Sequence, residues 1–164
     1  MAVASRSSAP ISPVALKASA GATETLPLIS VNQPGGFLDN CKKNGWKIYA
    51  AASPGSHKSP NSNNYVSTTT LGSPVRDRPC ILVLGGEGEG LRWDIQKKAS
   101  FDVGIEGQRI GQGTVDSLNV SVAAGILCEA FLRKPKSVET AVRDTPNAPI
   151  RDENIRRDTR DLLF

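Results

Sequence analysis

The sequence has few of the residues on which metal sites, disulfides and membrane spans depend. One histidine, His57, occurs among 164 residues, and it lies among Ser, Pro and Gly. A histidine triad or a multi-histidine metal site is therefore hard to build. The three cysteines, Cys41, Cys80 and Cys128, contain no CxxC pair, which argues against a zinc knuckle or disulfide scaffold and favours a reducing compartment. No apolar run reaches the roughly 18 residues of a membrane span, so neither a membrane nor a metal partner is predicted.

Charge is unevenly spread along the chain. The 20 Lys/Arg and 16 Asp/Glu leave a net charge of +4. Residues 1–60 hold six Lys/Arg and two Asp/Glu, whereas residues 61–132 hold six and eight. A basic first third fits a polyanionic partner. The alternative is that these charges only make the surface soluble, and judged by charge alone this alternative is favoured.

Apolar segments alternate with turn residues in a pattern that predicts an α/β fold with a parallel sheet. Strands are expected at 26–31, 46–52, 80–84 and 101–105, and helices at 14–22, 36–44, 91–98 and 118–132. Residues 53–78 predict a long exposed loop. The last helix is apolar on nearly every side, so we expect it to be buried all round, inside the domain or at a subunit interface. Cys80 and Cys128 lie in apolar runs and are expected to be buried.

The first 22 residues contain Arg, Lys, Ser and Ala without an acid, a composition typical of a mitochondrial transit peptide. Pro10 and Pro13 interrupt the amphipathic helix that such a peptide needs. Ser12 and Pro13 instead suit the N-cap and first position of a short helix. Composition therefore suggests a cleaved transit peptide, whereas the capping residues suggest a short helix of the domain.

A glycine cluster, Gly85 to Gly90, follows the most apolar predicted strand, in the layout of a nucleotide-binding turn. The Rossmann fingerprint fails because its third glycine would be Leu91, and no Gly-Lys-Ser/Thr follows for a P-loop. Glu87 and Glu89 place carboxylates where phosphates would bind, so a neutral or cationic nucleoside is the better ligand. A tight turn with solvated acids explains the loop equally well.

A second polar block, Ser117-Leu118-Asn119-Val120-Ser121, stands where a loop meets the last helix. Ser117 fits an N-cap there. Asn119 and Ser121 then begin a helix that is otherwise apolar, and polar groups at a buried helix end need partners. Those partners could be backbone groups or a ligand.

The two blocks together resemble a known family. Residues 84–91 resemble the motif L-G-x-E-G-x-G-L of the SpoU-type RNA 2′-O-ribose methyltransferases, of the SPOUT superfamily. Ile105 with residues 117–123 resembles the family's I-P-M…S-L-N-V-S-V-A motif. The likeness is close over residues 80–133 and looser back to residue 17. Residues 44–49 and an insertion at 108–116 fit the mitochondrial branch that methylates a guanosine ribose of large-subunit ribosomal RNA.

The resemblance implies a parallel α/β sheet with a deep C-terminal trefoil knot, one of the rare exceptions to unthreaded chains. It implies a partial catalytic domain at residues 1–133. The shift to charge, Pro and Thr from Lys134 onward indicates a charged tail at 134–164 that is helical at its end. The resemblance further implies S-adenosylmethionine as cofactor, ribosomal RNA as substrate, a homodimer and a mitochondrial location. By the same likeness the cofactor would lie against Gly85, Gly86, Gly88, Ile105 and Leu118, and the catalytic positions would be Glu87, Ser117 and Asn119. A non-catalytic RNA-binding or assembly module that keeps the knot is the main alternative, and an unrelated nucleotide-binding domain is disfavoured by the joint motifs.

The sequence departs from the family pattern in two places. The I-P-M motif is Ile105-Glu106-Gly107, with about four extra residues before Ser117. The family's first motif, N-x-G-x-x-x-R, has no counterpart in these residues, which implies an N-terminally truncated domain with little activity alone. On this reading Ala2 to Ser5 form an inner strand, and residues 12–31 belong to the domain interior and not to a presequence.

Overall fold

A computed structural model describes residues 1–6, 11–53, 60–86, 90–106 and 118–133. The described part has six strands: β1 (Ala2–Ala4), β2 (Ile29–Val31), β3 (Lys47–Ala51), β4 (Tyr65–Ser67), β5 (Cys80–Val83) and β6 (Phe101–Gly104). It has six helices: α1 (Pro13–Ala18), α2 (Ala22–Thr25), α3 (Pro34–Lys43), α4 (Pro74–Asp77), α5 (Trp93–Gln96) and α6 (Val120–Leu132). None of these helices combines the length and apolarity that crossing a membrane requires. The predicted tail at 134–164 lies outside the described residues.

The main sheet has four parallel strands in the order β4-β6-β3-β5. β3 lies between β5 and β6, and it pairs Lys47 with Cys80 of β5 and Tyr49 with Phe101 of β6. The outer strand β4 pairs Tyr65 with Asp102 of β6. The expected parallel α/β sheet is confirmed.

Successive residues of β3 point to opposite faces and build a core on each side of the sheet. Ile48 packs with Leu38 of α3 and Ile95 of α5. Tyr49 packs on the other face with Leu127 and Phe131 of α6. The Tyr49 ring stacks on Phe101 at 5.2 Å and meets the Phe131 ring edge-on at 5.0 Å, so α6 is held across the middle of the sheet.

The expectation of a long exposed loop at 53–78 is wrong for its second half. β4 and α4 lie there, and Ser67 is buried at the end of β4. The Ser67 hydroxyl is satisfied locally by Thr69 Oγ1 at 2.6 Å and Thr70 Oγ1 at 3.1 Å. A three-residue strand ending in hydroxyls has too few apolar positions to show a strand pattern, and residues 54–59 lie outside the described ranges.

The expectation that the last helix is buried all round is wrong for the single chain. α6 buries Leu127, Ala130 and Phe131 against the sheet, but Val122 and Ile126 are exposed on its other side. Cys128 is exposed too, and Cys80 is half-buried, so neither cysteine is fully buried as expected. The sheet covers only the side of α6 that packs against it. The subunit-interface alternative stays a prediction.

The first two strands form a sheet separate from the main one. β1 and β2 pair in parallel, Ala2 with Ile29, as a two-stranded sheet, so the inner-strand expectation is wrong within the described residues. Residues 12–31 are expected in the domain interior, but none of them is buried. Ser12 does cap α1, accepting from Ala15 N at 3.2 Å.

Several predicted boundaries shift. The helix expected to reach residue 22 ends at Ala18, because Ala20 and Gly21 take positive φ angles of 50° and 81°. The helix expected at 36–44 begins earlier, at Pro34, and stops as predicted before Gly45, whose φ is 84°. The helix expected at 91–98 shrinks to the single turn of α5.

Candidate functional site

The candidate site lies at the carboxyl edge of the four-stranded sheet. Ala50 of β3 pairs with Val83 of β5 and with Asp102 of β6, so the three strands end at one level. Ala52 continues the pairing, its N–H donating to Val103 O at 2.9 Å. The turns that follow β5 and β6 therefore flank the end of β3, where open parallel sheets bind their ligands.

The glycine turn after β5 closes on itself. Gly86 and Gly90 form an antiparallel bridge, and Gly90 has a φ of 67°. A Cβ on Gly85 would lie 2.5 Å from Leu91 N and 2.6 Å from Gly90 O. Among the described residues, no atom lies within 4 Å of the Cβ position at Gly86. Gly85 is thus required by the turn itself, whereas Gly86 presents open backbone to an approaching ligand.

The opposite wall of the site follows β6. Ile105 packs against the core cluster that contains Tyr49 and Val103. Glu106, which replaces the family's proline, accepts a hydrogen bond from Thr69 Oγ1 at 3.0 Å. This bond joins the turn after β4 to the first residues of the second candidate loop.

The start of α6 is capped by Asn119 and not by Ser117 as expected. Asn119 Oδ1 accepts from Ser121 N at 2.9 Å, and the helix begins at Val120. An asparagine side chain reaches the N–H two residues on as readily as serine does, so the helix begins two residues later than predicted. Asn119 has a structural role at the position that the resemblance makes catalytic.

The course of α6 brings its first turn toward the same edge of the sheet. Its last residues lie near the amino edge, because Ser73 Oγ donates to Arg133 O at 2.8 Å, and Pro74 O accepts from Cys80 Sγ at the start of β5. A helix of 13 residues is about 20 Å long. Leu118 and Asn119 therefore lie at the end of α6 that points to the carboxyl edge.

Five of the eight predicted site residues lie in the described part of the chain, and three do not. Gly85, Gly86 and Ile105 are at the carboxyl edge, and Leu118 and Asn119 begin the helix that points to it. Glu87, Gly88 and Ser117 lie outside the described residues. Within the described ranges, no group of three His, Cys, Asp or Glu residues could hold a metal ion.

A comparison with protein families adds independent evidence. The model of the SpoU rRNA methylase family matches residues 1–129. The chain belongs to this family. The resemblance of the two motif blocks is thereby confirmed, and the match includes residues 12–31, as expected for residues that belong to the domain.

Relatives of the SpoU family show how much of a whole protein this chain represents. Human mitochondrial rRNA methyltransferase 1 is 35% identical over 135 residues, which are 82% of this chain and 38% of the relative. The 23S rRNA (guanosine-2′-O-)-methyltransferase of Haemophilus influenzae is 31% identical over 127 residues, 77% of this chain and 46% of that protein. The chain spans less than half the length of either relative.

Solved structures share the fold. A putative RNA methyltransferase of the TrmH family from Porphyromonas gingivalis matches with a TM-score of 0.63 at 25% identity, over 80% of this chain and 47% of that one. An AdoMet-bound rRNA methyltransferase from Sinorhizobium meliloti matches with a TM-score of 0.60 at 19% identity, over 79% and 44%. The second likeness bears on the fold alone.

In this SpoU-family chain the sequence reasoning missed a polar cluster beside the site. Asp102 is buried within β6, and the Tyr65 hydroxyl is buried against Gly104. Burial, and then the charges of Glu106 and Asp102, raise the pKa of Tyr65. The one available signal was an aspartate inside the apolar segment Phe101-Asp-Val-Gly104, since a buried acid in a strand is uncommon.

Proposed function

We propose that this chain is the catalytic part, residues 1–133, of an S-adenosylmethionine-dependent RNA 2′-O-ribose methyltransferase that acts on ribosomal RNA. Membership of the SpoU rRNA methylase family supports the reaction class. The names of the human and Haemophilus influenzae relatives support ribosomal RNA, and the latter supports a guanosine ribose. The matching Sinorhizobium meliloti structure, described as AdoMet-bound, supports the cofactor.

The observation that carries the proposal is the pair of turns flanking the end of β3. Gly86 leaves open backbone on one side, and Ile105 offers an apolar wall on the other. An adenosine needs an apolar wall and nearby backbone groups, and a sulfonium tolerates the acids Glu106 and, in sequence, Glu87. The residues therefore fit the cofactor, with Gly85, Gly86, Gly88, Ile105 and Leu118 as its proposed holders.

The chain's own contribution is alignment. When bound, S-adenosylmethionine supplies an activated methyl group. The Asn119 cap fixes the first turn of α6, and α6 is in turn fixed against Tyr49, so the segment with Leu118 is held relative to the glycine turn. We assign Glu87, Ser117 and Asn119 to the polar side of the reacting centre. Holding two reactants in line removes much of the entropic part of a barrier.

Three further features belong to the same proposal. The C-terminal part of the domain threads into a deep trefoil knot, as the family resemblance implies. Two copies of the chain pair through the exposed side of α6, because Val122 and Ile126 make an apolar stripe there and symmetric dimers are the commonest oligomers. The mitochondrial relative supports a mitochondrial location.

Two measurements test the proposal. Calorimetric titration with S-adenosylhomocysteine should show one site per chain, and labelled methyl should pass from S-adenosylmethionine to a large-subunit rRNA fragment when the first-motif arginine is supplied by a longer chain. Binding of RNA without any binding of S-adenosylhomocysteine would favour the non-catalytic RNA-binding module. Robust transfer by the 164 residues alone would show that the first-motif arginine, which this sequence lacks, is dispensable.

A further inference from the structure

The amino edge of the four-stranded sheet, opposite the candidate site, carries a concentration of basic side chains. β3 begins with Lys47, α3 ends just before it with two lysines, and the segments that lead into β5 and β6 are basic as well. We call this surface the basic edge. It consists of Lys42, Lys43, Lys47, Arg78, Lys97 and Lys98.

Contacts join these segments into one surface. Lys42 Nζ donates to Lys98 O at 3.5 Å, which ties the end of α3 to the turn before β6. Lys47 N donates to Pro79 O at 3.0 Å, so the residue after Arg78 is bonded to the first residue of β3. The cations of three chain segments therefore line the same edge of the sheet.

Few acids neutralise the basic edge. Lys98 pairs with Asp39 at 2.5 Å, and Asp77 lies beside Arg78. Asp94 pairs instead with Arg92. The Glu129–Arg133 pair at the end of α6 adds no net charge to this edge. Six cations against two acids therefore leave the basic edge with a local charge of about +4 within the described residues. The carboxyl edge has the opposite character, with Asp102 and Glu106, so charge is segregated between the two edges.

Exposed aromatic rings accompany the cations. Trp93 is 60% exposed, and Lys97 Nζ lies 4.8 Å from its ring centroid. Trp46, directly before Lys47, is 39% exposed. Lysines that reach phosphates beside aromatic faces on which bases stack are the pattern of single-stranded nucleic-acid surfaces. A purely acidic protein partner would use the lysines but not the tryptophan faces.

We propose that the basic edge binds a single-stranded segment of RNA, separate from the nucleotide at the candidate site. β3 has five residues and separates the two edges by about 17 Å. The segment held at the basic edge is therefore not the one whose ribose reacts. The choice of RNA over another polyanion rests on the proposed function, whereas the surface itself does not.

The test compares two charge-matched variants of the full chain by fluorescence anisotropy with a labelled single-stranded RNA of about twelve nucleotides. Lys42→Gln/Lys43→Gln removes two cations from the basic edge, and Arg6→Gln/Lys17→Gln removes two exposed cations elsewhere. Losing two phosphate contacts should lower the salt slope of log K by about 1.4 and weaken binding at about 0.1 M salt roughly 25-fold. The control variant should bind within about threefold of the wild type, a margin well below the loss of one such contact.

Further arms separate the possible partners. Trp93→Ala should weaken binding of single-stranded RNA at least about fivefold, while Trp93→Phe keeps a stacking face and most of the affinity. Equal losses in the two charge variants, equal affinity for polyglutamate, or no RNA binding by the wild type would each overturn the inference. Titration with S-adenosylhomocysteine separates it from the proposed function, since that binding should be unchanged in Lys42→Gln/Lys43→Gln. A wild type that binds RNA but not S-adenosylhomocysteine would refute the proposed function and leave the basic edge standing.

Discussion

Substitutions at Gly85 and Gly86 should have opposite consequences, although the two residues are adjacent in one motif. A Cβ at Gly85 would lie closest to Gly90 C and 2.5 Å from Leu91 N, and ordinary contact begins at 3.4 Å, so the turn must open by about 1 Å. Overpacking of this size costs about 1–3 kcal/mol. We expect Gly85→Ala to lower the free energy of unfolding by about 2 kcal/mol, or to break the bridge between Gly86 and Gly90.

A Cβ at Gly86 meets no atom of the described residues within 4 Å, and Gly86 has no positive φ that alanine would strain. It should leave the free energy of unfolding unchanged or raise it by about 0.4–1 kcal/mol, because alanine restricts the unfolded chain. Its effect should fall on the ligand. If the cofactor approaches the open backbone at Gly86, a methyl group there should weaken S-adenosylhomocysteine binding at least about tenfold, a loss of about 1.4 kcal/mol.

The assay is urea denaturation followed by calorimetric titration of each folded variant with S-adenosylhomocysteine. Gly36→Ala, within α3 and without a close contact, is the control, and it should gain about 0.5–1 kcal/mol from helix propensity. Wild-type stability in Gly85→Ala would refute the argument that the turn needs this glycine for its own closure. Undiminished binding in Gly86→Ala would remove Gly86 from the cofactor site.

Three further perturbations test the packing, the pairing and the titration of the chain. The Tyr65 hydroxyl is buried with no hydrogen-bond partner in the described part of the chain, and it would collide with a Cβ on Gly104. Gly104→Ala should therefore lower the free energy of unfolding by about 1–3 kcal/mol in urea denaturation. Tyr65→Phe should itself be neutral or stabilising, and in that background the loss caused by Gly104→Ala should be smaller. Additive effects of the two substitutions would contradict this. Ile126→Glu should turn the proposed dimer into a monomer by light scattering, whereas Val14→Glu, at an exposed apolar residue of α1, should not; a monomeric wild type at micromolar concentration refutes the pairing. Burial raises the pKa of the Cys80 thiol, so the fold favours its protonated form. That stabilisation is complete below the unfolded pKa and is lost as pH rises above about 8.5. The alkaline fall in unfolding free energy should be smaller in Cys80→Ala, and an identical fall would exclude the thiol as a cause.

The central sheet was predictable because its strands are apolar on both faces. Cys80 to Leu84 has no polar position that would mark a solvent face, which is the pattern of parallel strands covered on both sides. Trp46 to Ala52 has one charged residue, Lys47, at its start and is apolar beyond it apart from the Tyr49 hydroxyl. β4 was missed for the opposite reason. It is a three-residue outer strand whose pairing with β6 is a non-local contact, and nothing in its own residues encodes that partner.

The candidate site was predictable from motif spacing but not its internal contacts. The glycine cluster and the Asn119 block indicated two turns that meet, and the strand register brings the first of them beside the end of β3. Which glycine serves the turn and which faces a ligand depends on how the loop closes, a three-dimensional property. The Thr69–Glu106 hydrogen bond likewise joins residues 37 positions apart, so no local pattern announces it.

The dual place of Asn119 shows why sequence motif and structure must be combined at this site. Its side chain caps α6, and α6 is the helix that the Tyr49 cluster holds against the sheet. A helix that loses its N-cap is typically destabilised by about 1 kcal/mol. A loss of methyl transfer in Asn119→Ala could therefore result either from a displaced helix or from the missing amide group. Asn119→Asp preserves the cap while exchanging the amide for a carboxylate. The comparison of these two substitutions separates the structural role, which the hydrogen bonds establish, from the catalytic role, which the family motif suggests.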